Sequence, residues 1–158
     1  MEIKRNLPIG GNIRVIASRD GIPIKTLFET HNTVVDDGLD VVASFLNSEG
    51  TYGSGITYCA VGTIGSAVVN SQGTLFAEVA RAPISYQVRA GSVVTFESFF
   101  AAASIPYVLT EVGHFMHDAG TTLNSGVLFE RSTILYDNSG TAFDVTVQYD
   151  IRVGRGTV

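Results

Sequence analysis

A long uncharged stretch does most to constrain what this chain can fold into. Residues 56–81 read ITYCAVGTIGSAVVNSQGTLFAEVAR, and no charge occurs in them before Glu78 and Arg81. Residues 56–63 form an apolar strand in which Cys59, Ala60 and Val61 leave no polar alternation, the pattern of a strand buried on both faces. The Gly/Ser/Asn-rich loop that follows is too long for a tight hairpin. It predicts that the chain crosses here from one sheet to another.

Composition supports a β-rich reading. Charged residues are only 16% of the chain, against a usual share of about a quarter, so much of the surface must be buried or set against partners. Seventeen glycines and few Lys, Glu or Gln favour turns and strands over helix. A net charge of −5, with Lys4-Arg5 the only adjacent basic pair, excludes an electrostatic nucleic-acid surface, because several phosphates cannot be neutralised. Cys59 is the single cysteine, which rules out an intramolecular disulfide and a multi-cysteine zinc site. It reads as a small buried thiol. No apolar h-region follows the charged start and no apolar run is long enough to span a membrane. The expectation is a soluble protein made in a reducing cytoplasm.

In chain order, residues 1–11 read as an arm and residues 12–158 as a single domain. The arm is of mixed charge with Pro8 and Gly10-Gly11, and its apolar residues Met1, Ile3, Leu7 and Ile9 are candidate partner contacts. Residues 12–30 form a hairpin turning at Asp20-Gly21, with Pro23 marking an edge position. In residues 38–47, Leu39, Val42, Phe45 and Leu46 fall at helical spacing, with Asp36 or Asp37 as the N-terminal cap. Residues 84–89 and 93–100 form a second hairpin about Ala90-Gly91-Ser92. Residues 107–116 and 127–136 are further strands. In the last strand Phe143, Val145, Val147 and Tyr149 alternate with Asp144, Thr146, Gln148 and Asp150, as expected when one face is wet. Several strands, one short helix and no βαβ rhythm predict an all-β fold, an antiparallel β-sandwich or jelly-roll.

No catalytic constellation is evident. Along a strand His114 faces away from Glu111 and His117, so the three do not make a metal site. The aspartates near residue 36 lack the alternation of a calcium loop. No serine lies in a G-x-S-x-G elbow, no phosphate-cradling Gly-rich loop occurs, and Glu78, Glu97, Glu111 and Glu130 show no pairing that marks a glycosidase. The chain reads as a non-enzyme with no cofactor. Glu78, Arg81, Glu111, Glu130 and Arg131 each interrupt apolar neighbours and read instead as structural ion pairs, with Glu111 paired to Arg81 or Arg131.

The same residues form an ordered series. Asn32-Thr33-Val34-Val35-Asp36-Asp37-Gly38 precedes the helix and Ala60-Val61-Gly62-Thr63 ends a strand. Leu75-x-x-Glu78-x-x-Arg81, Glu111-Val112-Gly113 and Leu128-Phe129-Glu130-Arg131 follow. This order, over about residues 32–153, resembles small β-rich structural proteins of tailed bacteriophages. It is similar to head or tail accessory proteins and to the N-terminal domains of tail-collar fibre proteins. The chain ends at Val158 without a fibre shaft. The resemblance thus implies a capsid decoration (cement) protein of the virion, made in the host cytoplasm. It would form a homo-oligomer such as a trimer and contact the major capsid protein or tail components, with no nucleic acid or membrane partner. A tail, collar or baseplate adaptor is the alternative. A carbohydrate-binding jelly-roll module, with Tyr52 and Tyr58 as the sugar-stacking pair, is the second alternative.

Overall fold

The computed structural model of the protein describes residues 9–20, 22–47, 50, 52–140 and 143–154. The elements run β1 (Ile9–Arg19), β2 (Ile22–His31), β3 (Thr33–Val34), α1 (Asp36–Asn47), β4 (Ile56–Gly62), β5 (Glu78–Ala90), β6 (Val93–Phe100), β7 (Val108–Met116), β8 (Val127–Asp137) and β9 (Asp144–Val153), with a 3-10 turn at Ala102–Ser104. The fold is all-β with one short helix. Its strands make one antiparallel sheet in the order β2-β1-β9-β6-β5-β4-β7-β8-β3.

β5 is what bends this sheet. Its first half, through Pro83, pairs with β4, and its second half, from Ile84, pairs with β6. The sheet curls about that strand. Ile13, Val15, Phe96, Val145, Val147 and Tyr149 of one half then share a core with Cys59, Val61, Val112, Met116 and Phe129 of the other. The inward set of β9 is the alternation read from the sequence, with Val145, Val147 and Tyr149 buried between half-buried polar residues. A second, smaller cluster of Val35, Ala60, Leu75, Phe115 and Leu128 lies on the opposite face of β4, β7 and β8. β4 is therefore covered on both sides, Cys59 and Val61 facing the first cluster and Ala60 the second.

The curl closes through one residue. β2 and β3 stand at opposite ends of the sheet, yet only Asn32 separates them in the chain. Asn32 exchanges backbone and side-chain bonds with Gly11: its N–H donates to the Gly11 carbonyl (3.1 Å) and its Oδ1 accepts from the Gly11 N–H (2.6 Å). Its Nδ2 donates to the Tyr149 hydroxyl at 2.7 Å. Gly11 must be glycine, since a Cβ there would come within 1.8 Å of the Asp150 carbonyl oxygen.

Several expectations change. Residues 9–11 do not belong to an arm, because Ile9, Gly10 and Gly11 pair with Val153, Arg152 and Ile151. Ile9 is a strand residue packed against the core, not a free partner contact. Met1, Ile3 and Leu7 lie outside the described residues. The loop after β4 is not a crossover: β4 and β5 are direct antiparallel neighbours, and the loop closes on itself where the Thr63 N–H donates to the Ala77 carbonyl (3.1 Å). Asp36 and Asp37 lie inside the first turn of α1 and do not cap it. The first helical bond, from the Leu39 N–H to the Val35 carbonyl (3.1 Å), leaves Val35 in the flanking position.

Of the four apolar residues whose spacing predicts the helix, only Val42 packs against the core. The buried residues of α1 are Gly38, Val41 and Ser44, whereas Leu39, Phe45 and Leu46 are 47%, 53% and 77% exposed. Gly38 dictates this, because a Cβ there would lie 2.2 Å from the Phe129 carbonyl oxygen. The glycine face is the one that can reach β8 closely enough.

Replacing Asn32 by Ala leaves the Gly11 N–H and the Tyr149 hydroxyl without their partner. Each such group costs about 1–3 kcal/mol when buried, so chemical unfolding of Asn32→Ala should show a loss of about that size. A loss near zero would mean that the closure does not depend on this residue.

Candidate functional site

The residues singled out from the sequence gather on β4, β5, β7 and β8, but they sort into three pairs on two faces. On the outer face, Glu111 pairs with Arg131, not Arg81, with Nε 2.9 Å from Oε2 and both side chains buried. The two residues are not directly opposed across the ladder. Glu111 stands opposite Thr133, and Arg131 stands opposite Gly113. Arg131 reaches diagonally across a position that carries no side chain. Gly62, opposite Glu111 on β4, is equally constrained, since a Cβ there would lie 2.4 Å from Glu111 Oε1.

This pair organises the loop 63–77. Glu111 also accepts from the backbone N–H groups of Phe76 (3.0 Å) and Ala77 (2.7 Å). Arg131 donates from Nη1 to the Ser66 carbonyl and from Nη2 to the Ile64 carbonyl, both at 2.9 Å. Its guanidinium lies 4.7 Å from the Phe76 ring centroid. A carboxylate and a guanidinium withdrawn from water are tolerated when their remaining hydrogen-bonding capacity is used. Here the loop backbone supplies it.

Glu78 and Arg81 form a second pair, in a two-point contact with Nε–Oε1 2.5 Å and Nη2–Oε2 2.8 Å. Residues three apart on a regular strand face opposite sides. A register shift resolves this: Val61 pairs with Ala80 and Gly62 with Glu78, so Val79 is an extra residue that brings Glu78 round to the face of Arg81. Arg81 Nη1 donates to the Gly120 and Ser125 carbonyls, and Glu78 accepts from the Asn124 N–H. The pair thus holds the turn after β7. Its guanidinium stacks 4.7 Å from the Phe115 centroid.

The third pair is internal. Glu130 meets His114, not an arginine, at 2.5 Å from Oε1 to Nδ1, with both side chains buried. The two residues face one another across the β7–β8 ladder, and Cys59 faces His114 across the β4–β7 ladder. Tyr149 stacks on the imidazole at 4.5 Å between ring centroids. Burial raises the Glu130 carboxyl above its ordinary range. Burial also opposes charge on His114, but Cys59 and Glu130 outweigh it and raise the histidine to about 10. A thiol, an imidazole and a carboxylate are the parts of a nucleophile with its base and orienter. They lie in the closed interior, at 0% exposure, and the surface grooves beside Gly10, Ala17, Ile84 and Gly55 are lined by other residues.

His117 stays apart from Glu111 and His114. It sits in the turn at positive φ, with its ring edge-on to Tyr52. Tyr52 and Tyr58 do not form an open stacking platform: both are half-buried against the core clusters, and Tyr58 lies beneath the Arg81 guanidinium at 5.8 Å. The sequence reading missed the His114–Glu130 pair, because its partners are 16 residues apart and only strand register joins them. It named Glu78 and Arg81 as ion-pair residues, as they are, without pairing them with each other; the signal for that was the spacing Glu78-x-x-Arg81 read together with a bulge.

His114 and Glu130 both hold protons more firmly in the folded chain than in the unfolded one. The contribution of Glu130 is fully present only below its unfolded value of 4.5, and that of His114 is present below its unfolded value of 6.5 and lost as pH rises through about 10. Thermal unfolding should therefore show falling stability across that window, and His114→Gln should flatten the fall. An equally steep fall in the variant would assign it to other groups.

No protein-family model, curated protein or solved structure matches the chain.

Proposed function

We propose that this protein is a non-enzymatic structural component of a tailed-phage virion, a decoration protein that binds an assembled capsid shell. The observation that carries this reading is the outward apolar face of α1. Leu39 and Leu46 share the outward side of the helix and Phe45 is exposed near its C-terminal end, while Gly38, Val41 and Ser44 face the sheet. A helix normally buries its large apolar side chains. One that exposes them offers a preformed contact surface.

The reading also draws on the ordered motifs that resemble phage accessory proteins. Glu78, Arg81, Glu111 and Arg131 of those motifs hold loops, leaving the chemistry of the surface to apolar contact. Such a protein acts by burying surface across a junction between shell subunits, which lowers the free energy of the assembled state without any reaction.

Purified protein should co-sediment with capsid shells, and Phe45→Ser together with Leu46→Ser should abolish this while leaving the melting temperature unchanged. Binding to tail components and not to shells would move the assignment to an adaptor. Undiminished shell binding by the double variant would remove α1 as the contact.

A further inference from the structure

Two of the strand edges among the described residues are treated differently. β2 is defended: Pro23 removes a donor, two register shifts break its pairing with β1, and Lys25 and Glu29 add charge. These are the devices that keep edges from pairing with other chains. The second half of β5 has one register shift, at Ser85 where it begins, and from Tyr86 onward its ladder is regular. Among the described residues no strand pairs with residues 85–90 on the side away from β6. That segment contains no proline and one charge, Arg89, and its Tyr86 and Val88 are 52% and 45% exposed. A groove of about 450 Å³ runs beside it, between Ile56-Thr57 and Gln87-Arg89.

The hairpin turn fixes which backbone groups face out. Ala90 and Val93 flank the two-residue turn Gly91-Ser92, with Gly91 at φ 61°, so they form a hydrogen-bonded pair. Alternation then gives Val88 and Tyr86 to the β6 ladder and turns the N–H and C=O groups of Gln87 and Arg89 outward.

We propose that a second copy of this chain pairs with this edge, β5 to β5 and antiparallel about a two-fold axis at Gln87. In that register Gln87 bonds to Gln87 of the second copy through both backbone groups. Tyr86 faces Val88, an aromatic–β-branched pair of the favourable kind. Arg89 faces Ser85, so no like charges oppose one another. The edge is self-complementary, as an isologous interface requires. The inference stands on this edge alone and is independent of the functional reading.

Sedimentation velocity on the full chain tests it across a concentration series. The wild type should approach twice the 16.8 kDa chain mass. Gln87→Pro should stay monomeric and folded, because proline is tolerated where the N–H faces solvent. Gln87→Lys and Gln87→Glu should each be monomeric alone, through like charges at the axis, and should dimerise when mixed. A wild type that is monomeric throughout, a trimer indifferent to Gln87, or a folded Gln87→Pro that still dimerises would overturn the proposal.

Discussion

The Glu111 carboxylate is the point on which the outer half of this molecule depends. Removed from water, it is satisfied by one guanidinium nitrogen and two backbone N–H groups. Take any one away and a buried charge is left short of partners, which is where the large penalties in protein interiors arise. The surroundings are shaped to it. Gly62 leaves room for the carboxylate, Gly113 leaves room for Arg131 to cross, and the loop 63–77 folds down because its carbonyls at Ile64 and Ser66 complete the guanidinium. That loop in turn tethers the helix, since the Asp36 N–H donates to the Asn70 carbonyl at 2.8 Å.

The β4–β7–β8 segment therefore does two jobs. Its inner face closes the main core, where His114, Glu130 and Tyr149 are packed together and Asn32 ties Tyr149 to the junction of the sheet ends. Its outer face uses two arginines to pin two long connections that have no regular structure of their own. Chains rich in glycine lose much backbone freedom on folding, and these ties help offset that loss in the irregular segments. The consequence is a surface whose loops are fixed and whose exposed apolar groups, on α1 and along β5, are held in place before any partner arrives. Preorganisation of that kind reduces the ordering cost of association.

Local pattern made much of this legible. The β9 alternation, the hairpin reversals after Arg19 and about Gly91, the edge position of Pro23 and the presence of a helix near residue 40 all follow from neighbours in the chain. The charged interruptions marked Glu111 as paired with Arg81 or Arg131 for the same reason, since an uncompensated charge among apolar residues has few alternatives, and the fold selects Arg131. What local pattern missed was decided at long range. The loop after β4 turns back because Glu111, some 34 residues on, holds its end. The helix faces outward with its large residues because Gly38 meets a β8 carbonyl. Glu78 joins Arg81 only through an extra residue in β5, and Asn32 becomes a closure only once the sheet has curled.

The most direct test of this account is a double-mutant cycle between Glu111 and Arg131, followed by chemical unfolding of the wild type, Glu111→Gln, Arg131→Met and the double variant. If the pair is the tie described, each single change costs about 3–5 kcal/mol and the double variant costs clearly less than their sum. Losses that add to within about 0.5 kcal/mol would contradict it, and would mean that the two residues hold the loop separately.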